Sequence, residues 1–319
     1  MTDRRRMNGP SGGTAPPFFA SSLTSKTASP TQRTRAPDEL RKIFLKTGLT
    51  PSASGSAYFE LEPSTPTAAS KSLASKAPAL KLTCTVHGPR PLPRSAPFSP
   101  QLLLSTRIKF APFAARYRRG YIPDAGERDL AAHLDTTLRG VLISERWPKS
   151  GVDVIITVLE GEEDDPWNKG HLNENERAGG WGMMSILAGC ITVASAAIVD
   201  AGIDCIDLVT GGVAAIVRQP TAPLQVYLDP CPSDHEEIFA ACMIGYLQTR
   251  DEITELWTKG DIKASTDGHG ANSMGFEPLV DQAMEAAVAA RLVLIEAIKE
   301  STGMKVQTSR IGHPKNAAS

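Results

Sequence analysis

The stretch Gly179–Ile203 reads GGWGMMSILAGCITVASAAIVDAGI, and no charged residue interrupts it between Gly179 and Val199. A run that long and apolar is either a membrane span or the buried helix of a packed core. Its first turn is glycine-rich. Only the part from Met183 onward is convincingly apolar, Ser185, Thr192 and Ser195 punctuate it, and Asp200 closes it. A core helix over about Gly182 to Ala201 fits better than a span, and no membrane is expected as a partner. A helix apolar on every side needs neighbours on every side.

The flanking sequence supplies those neighbours as strands. Val152–Leu159 (VDVIITVL) is apolar at both parities and reads as a central buried strand. In Leu80–His87 (LKLTCTVH), Leu80, Leu82, Cys84 and Val86 share one face, and Gly88-Pro89 breaks the run. Ser56–Leu61, Leu102–Phe110, Ile206–Val217 and Leu224–Leu228 are further strands. Helical spacing marks Arg128–Leu142 through Leu130, Leu134 and Leu138, and Pro278–Lys299 through Leu279, Ala283, Leu294 and Ile298. Ile238–Gln248 admits two readings. Ser233 with Glu236 could cap a helix, or Thr249–Glu252 could turn a hairpin between two strands. Strands in runs with helices on one face of a sheet make an α+β layout.

Composition bounds the rest. Among 319 residues, Lys+Arg 34 against Asp+Glu 35 gives a net charge of -1, which argues against coating nucleic acid by bulk charge. The five cysteines include no Cys-x-x-Cys pair, so neither a disulfide framework nor a zinc knuckle is expected, and a reducing compartment fits. Met1–Arg6 is basic but no apolar run follows, unlike a secretory signal. Residues 1–38, rich in Ser, Thr, Pro and Arg, read as a disordered tail. A single domain is expected over 39–303 with polar inserts at 62–79, 160–178 and 260–274, then a flexible tail over 304–319.

Several motifs, in this order, resemble the RNase PH family. They are Gly55–Glu60, Val86-His87-Gly88-Pro89-Arg90, Phe110–Ala114, Glu127–Leu130 with Trp147-Pro148, Val199-Asp200-Ala201-Gly202-Ile203, and Leu228-Asp229-Pro230 with acids beyond. Within that family the chain is most similar to ring subunits of the eukaryotic RNA exosome. The resemblance implies an RNase PH-like mixed sheet (ribosomal protein S5 domain 2-like) with helices packed on one face and a C-terminal helix. It also implies that Ile238–Leu247 is a strand paired with Ile253–Trp257. The implied partners are other RNase PH-like ring subunits, S1-domain cap subunits and RNA. The implied locations are nucleus, nucleolus and cytoplasm, and no cofactor is implied.

Active members of that family cleave RNA with orthophosphate. Bringing two anions together needs cationic or N–H donors. In the family these are an arginine shortly before the Glu127 position and a Gly-Thr/Ser-Arg turn at a helix N-terminus, beside paired aspartates. Here Asp124 precedes Glu127 where no arginine stands, Trp181 and Met183 occupy the turn, and only Asp229 with Asp234 is left of the acidic pair. The resemblance therefore implies degenerate positions at Asp124, Trp181, Asp229 and Asp234, and a chain without catalytic residues. An active phosphate-dependent exoribonuclease, or a metabolic enzyme on a similar superfold, is the alternative.

Binding is the remaining chemistry. Arg107, Lys109, Arg116, Arg118 and Arg119 run without an acid, interleaved with Phe110, Phe113, Tyr117 and Tyr121. Cations with aromatic faces suit single-stranded RNA. The phenylalanines fit a core better, and the arginines fit an RNA path or a subunit interface equally. Arg90 and Arg94 are a second basic group. His133 reads as a packing or surface residue rather than a base, and Glu162–Asp165 as a solvated loop rather than a metal cage.

Overall fold

The structure is a computed structural model that describes residues 33, 35–63, 79–114, 120, 122–162, 180–219, 222–235, 237–260 and 275–311. Nine strands and three helices follow in order: β1 (Ile43–Thr47), β2 (Gly55–Leu61), β3 (Leu80–Pro91), β4 (Leu103–Phe110), α1 (Ala125–Arg139), β5 (Ser150–Glu160), α2 (Gly182–Asp200), β6 (Val209–Gln219), β7 (Ala222–Leu228), β8 (Glu237–Leu247), β9 (Glu252–Gly260) and α3 (Phe276–Ile311). The strands divide between two sheets, ordered β1-β2-β3-β5-β4 and β7-β6-β8-β9. The first sheet is mixed, because β4 runs parallel to β5 while the other neighbours are antiparallel. Parallel neighbours need a crossover, and α1 supplies it between β4 and β5.

The α+β expectation holds, with one refinement: there are two sheets, and α2 lies between them. Alternation explains the first face. Leu80, Leu82, Cys84 and Val86 of β3 and Val152, Val154, Ile156 and Val158 of β5 are all buried. The other face of β5 is only half-buried, so the strand is central but not covered on both sides. Against this face pack α1, through Leu130, Leu134 and Leu138, and α2, whose residues from Gly182 to Ile198 are all buried. This is the charge-free run, and 94% of its apolar window lies inside the protein. Truncating a fully buried leucine such as Leu187 should cost about 2–5 kcal/mol.

The second sheet closes over α2 because of two adjacent glycines in β6. A Cβ on Gly211 would lie 2.4 Å from the α2 backbone at Ala188, and one on Gly212 would lie 2.0 Å from the carbonyl of Ala283 in α3. Successive strand residues face opposite sides, so the pair admits one helix on each face of the sheet. Buried hydroxyls stitch the layers. Thr192 Oγ1 accepts from the Gly211 N–H at 3.1 Å, and Thr210 Oγ1 donates to Ala287 O at 2.8 Å.

The ambiguous segment is β8, paired antiparallel with β9. Two boundaries differ from expectation, and one strand is additional. The tail expected through residue 38 is anchored at its end, where the Leu228 N–H donates to Pro37 O at 2.9 Å. β1 is a strand that the sequence pattern does not announce. The tail expected from residue 304 begins as helix, since α3 continues to Ile311. Most of each expected insert lies outside the described residues.

Candidate functional site

The turn after β7 carries Asp229 in a left-handed backbone (φ 47°), which aspartate tolerates better than most residues. Its carboxylate meets the segment that leads into β1. Arg41 donates to it from Nε at 2.7 Å, from Nη2 at 2.6 Å and from its own backbone N–H at 3.1 Å. This is the two-pronged guanidinium–carboxylate geometry. Nη1 of Arg41 pairs with Glu162, just past β5. Arg35 adds a bond from Nη1 to Asp229 at 3.2 Å, and its Nη2 lies 4.0 Å from Asp234. Arg33 donates to the carbonyls of Leu228 at 2.8 Å and Asp229 at 3.2 Å, and its guanidinium lies over the Tyr227 ring.

Arg41 is 3% exposed and Glu162 2%. Burial alone would raise the Asp229 carboxyl, but Arg41 and then Arg35 hold it well below the usual carboxylate range. Burial pushes Glu162 up, and Arg41 offsets this only in part. Burial and the neighbouring Arg35 charge lower Arg33 to about 10, which leaves it protonated at neutral pH. Burial, with the charges of Arg33 and Arg35, lowers His235 to about 4, so its ring is neutral there.

The other positions expected to be degenerate serve local structure. Asp124 is the N-cap of α1 and accepts from the Ala125 N–H at 2.7 Å, while Glu127 completes the capping box from the third helical position. Glu127 is also buried and accepts from the Phe110 N–H at 2.9 Å, tying α1 to the end of β4. Trp181 precedes α2, where its indole makes no cap bond, and its ring holds the Lys259 ammonium at 5.1 Å. Ser185 and Pro230 bring the first turn of α2 against the Asp229 loop. The structure thus brings Asp229 and Asp234 to Arg35, sets Trp181 against Lys259 at the start of α2, and engages Asp124 at the head of α1.

The corner can do little anion chemistry. Arg41 is held by Glu162 and Asp229 and Arg33 by main-chain carbonyls, so an incoming phosphate would meet carboxylates already holding Arg41, while Arg35 Nε and Nη2 are buried without a hydrogen-bond partner. A metal fares no better, because Arg41 lies between Glu162 and Asp229. Among the described residues no group of three His, Cys, Asp or Glu is placed to hold an ion.

Sequence reasoning missed Arg33, Arg35, Arg41 and the burial of Glu162. Glu162 was expected in a solvated loop and is instead an ion-paired core residue. The remainder of that acidic run, Glu163, Asp164 and Asp165, lies outside the described residues, as do Arg116, Arg118, Arg119, Tyr117 and Tyr121. Lys109, expected to be available for binding, lies 3.4 Å from Glu127 and donates to Gly120 O at 3.2 Å. Arg90 is 62% exposed and paired with Asp153. Arg94 and Arg107 are exposed. Phe110 is core as expected, but Phe113 is 74% exposed. His133 packs flat on Trp257 and sets Nδ1 2.8 Å from Glu255, linking α1 to β9.

Comparison with known proteins places this geometry in context. The model of the 3' exoribonuclease family, domain 1 (RNase PH), matches residues 39–204. The chain is similar to exosome complex component MTR3 of Chaetomium thermophilum, 49% identical over 303 residues that cover 95% of this chain and 100% of that one. It is also similar to exosome complex component mtr3 of Schizosaccharomyces pombe, 31% identical over 271 residues, 83% of this chain and 87% of that one. In structure it matches rice (Oryza sativa) Rrp46 with a TM-score of 0.57 at 16% identity, over 82% of this chain and 96% of that one, which shows the shared fold.

Proposed function

We propose that this chain, which belongs to the RNase PH family of 3' exoribonucleases, is a non-catalytic ring subunit of an RNA exosome. The relatives at 49% and 31% identity are named exosome complex components, and the first match runs nearly the full length of both chains. The observation that carries the non-catalytic part is the Arg41 fork. In this reading the cations nearest Asp229 come from the chain's own segment 33–41 and are engaged by carboxylates. Phosphorolysis requires cations that are open to orthophosphate and to the scissile phosphodiester.

The work left to the chain is architectural. It joins other RNase PH-like subunits in a ring, beneath S1-domain cap subunits, and offers exposed cations such as Arg94 and Arg107 to RNA in passage. Each such contact neutralises phosphate without reading sequence. The processes served are 3'-to-5' RNA degradation and rRNA maturation, in nucleus, nucleolus and cytoplasm.

Co-purification tests the assignment. A tagged chain should elute as a large particle with RNase PH-like partners; elution as a monomer without them rejects it. Incubating the purified chain with RNA and orthophosphate tests the second half: release of nucleoside diphosphates would reject the non-catalytic reading.

A further inference from the structure

β1 is one edge of the five-stranded sheet. On its inner side the Glu62 N–H donates to Lys42 O at 3.0 Å and the Gly48 N–H donates to Ser56 O at 2.9 Å. Bonded and non-bonded pairs alternate along an antiparallel ladder. With Ile43 opposite Leu61 and Leu45 opposite Phe59, the N–H and C=O groups of Ile43, Leu45 and Thr47 therefore point away from β2. Beside them a groove of about 510 Å³ separates β1 from α3, with Ile43, Phe44, Leu45, Val293 and Ala297 as its apolar lining and Glu296, Lys299 and Glu300 on the helix rim, Lys299 paired with Glu296 at 2.9 Å.

An open strand edge bordered by a helix suits an extended segment that adds as a further strand. Main-chain bonds would hold it, and alternate side chains would fall into the groove. The charges decide what kind of segment. Phe44, 54% exposed, is flanked by Lys42 and Lys46 on the outer face. Lys42 is 87% exposed and only loosely paired with Glu62 at 3.6 Å. A second copy of β1 laid antiparallel would set lysine against lysine, and like charges directly opposite destabilise a pair. A segment with acids at the outward positions would be attracted instead.

We propose that the groove between β1 and α3 accepts an extended segment of a partner protein as a sixth strand, apolar residues inward and acidic residues beside Lys42 and Lys46. This surface is independent of the ring assignment: it recognises a linear segment, whether or not the chain also sits in a ring.

The test uses the full chain and a blocked peptide of alternating valine and glutamate, about eight residues long to match a strand. Saturable binding should slow amide exchange at Ile43, Leu45 and Thr47. Thr47→Pro removes an outward N–H and leaves the β1–β2 ladder intact, so affinity should fall about tenfold, the equivalent of one good hydrogen bond. Lys46→Glu should weaken the acidic peptide about threefold and strengthen a valine–lysine peptide by a similar factor. If Thr47→Pro fails to fold, the Lys46→Glu reversal decides alone. The proposal is overturned if the valine–glutamate peptide does not bind the folded wild type, if the valine–lysine peptide binds it better, if protection appears away from β1, or if the chain instead dimerises through this edge.

Discussion

At the Asp229 corner, Arg41 and Glu162 are almost wholly buried and bonded to each other, and Arg41 grips Asp229 as well. On the β3–β5 surface, Arg90 pairs with Asp153 while remaining 62% exposed. The partner chemistry is the same and the consequences differ. For Arg41 and Glu162 water is excluded, so each of these two charges depends on its partner. At the surface, solvent screens the pair, so the guanidinium can leave Asp153 at little cost. Burial, more than residue type, separates an arginine locked into the fold from one left open to solvent.

The sharpest way to break this contrast is Arg41→Met, which strands two carboxylates. It should cost about 3–5 kcal/mol, read from the denaturant midpoint; a loss no larger than that of a surface change would mean the corner is wet. Asp229→Asn keeps the shape and removes the charge, for about 2–3 kcal/mol. Its pH dependence has a definite sign. The Asp229 carboxyl is depressed by Arg41, so its contribution is full above the unfolded carboxylate value of about 3.9 and is lost as pH falls through the folded one. Wild-type and Asp229→Asn melting curves should therefore converge on acidification.

Glu162→Gln sharpens the comparison within the corner itself. Burial raises this carboxyl, so its charged form is disfavoured and stability is lost as pH rises through its titration. The amide should change stability by only about 1 kcal/mol, and a loss equal to that of Asp229→Asn would contradict the asymmetry. The smallest effect is expected from Arg90→Ala, below about 1 kcal/mol, which thermal melting can place beside the others.

Much of the fold was legible because periodicity is local. The alternation of Leu80, Leu82, Cys84 and Val86, the helical spacing of Leu130, Leu134 and Leu138, and the charge-free run of α2 each declare an element within a dozen or so positions. What escaped was long-range. Arg41 and Asp229 are 188 positions apart, and nothing in a Ser/Pro/Arg-rich stretch marks which arginine will find a carboxylate. β1 is too short to alternate convincingly. The second sheet depends on Gly211 and Gly212 admitting helices from both sides, a packing fact that strand patterning does not carry. The absence of an arginine before Glu127 is plain in the sequence; the arginines gathered at Asp229 are not.

Titration of the purified full chain with orthophosphate, followed by calorimetry and by the amide signals around Asp229, tests the account most directly. No saturable binding up to millimolar phosphate is predicted, with Arg35 and Arg41 still held by their carboxylates. Saturable uptake that shifts signals at Trp181 and Asp229 and disappears in Arg35→Ala would show that the corner is an anion site after all.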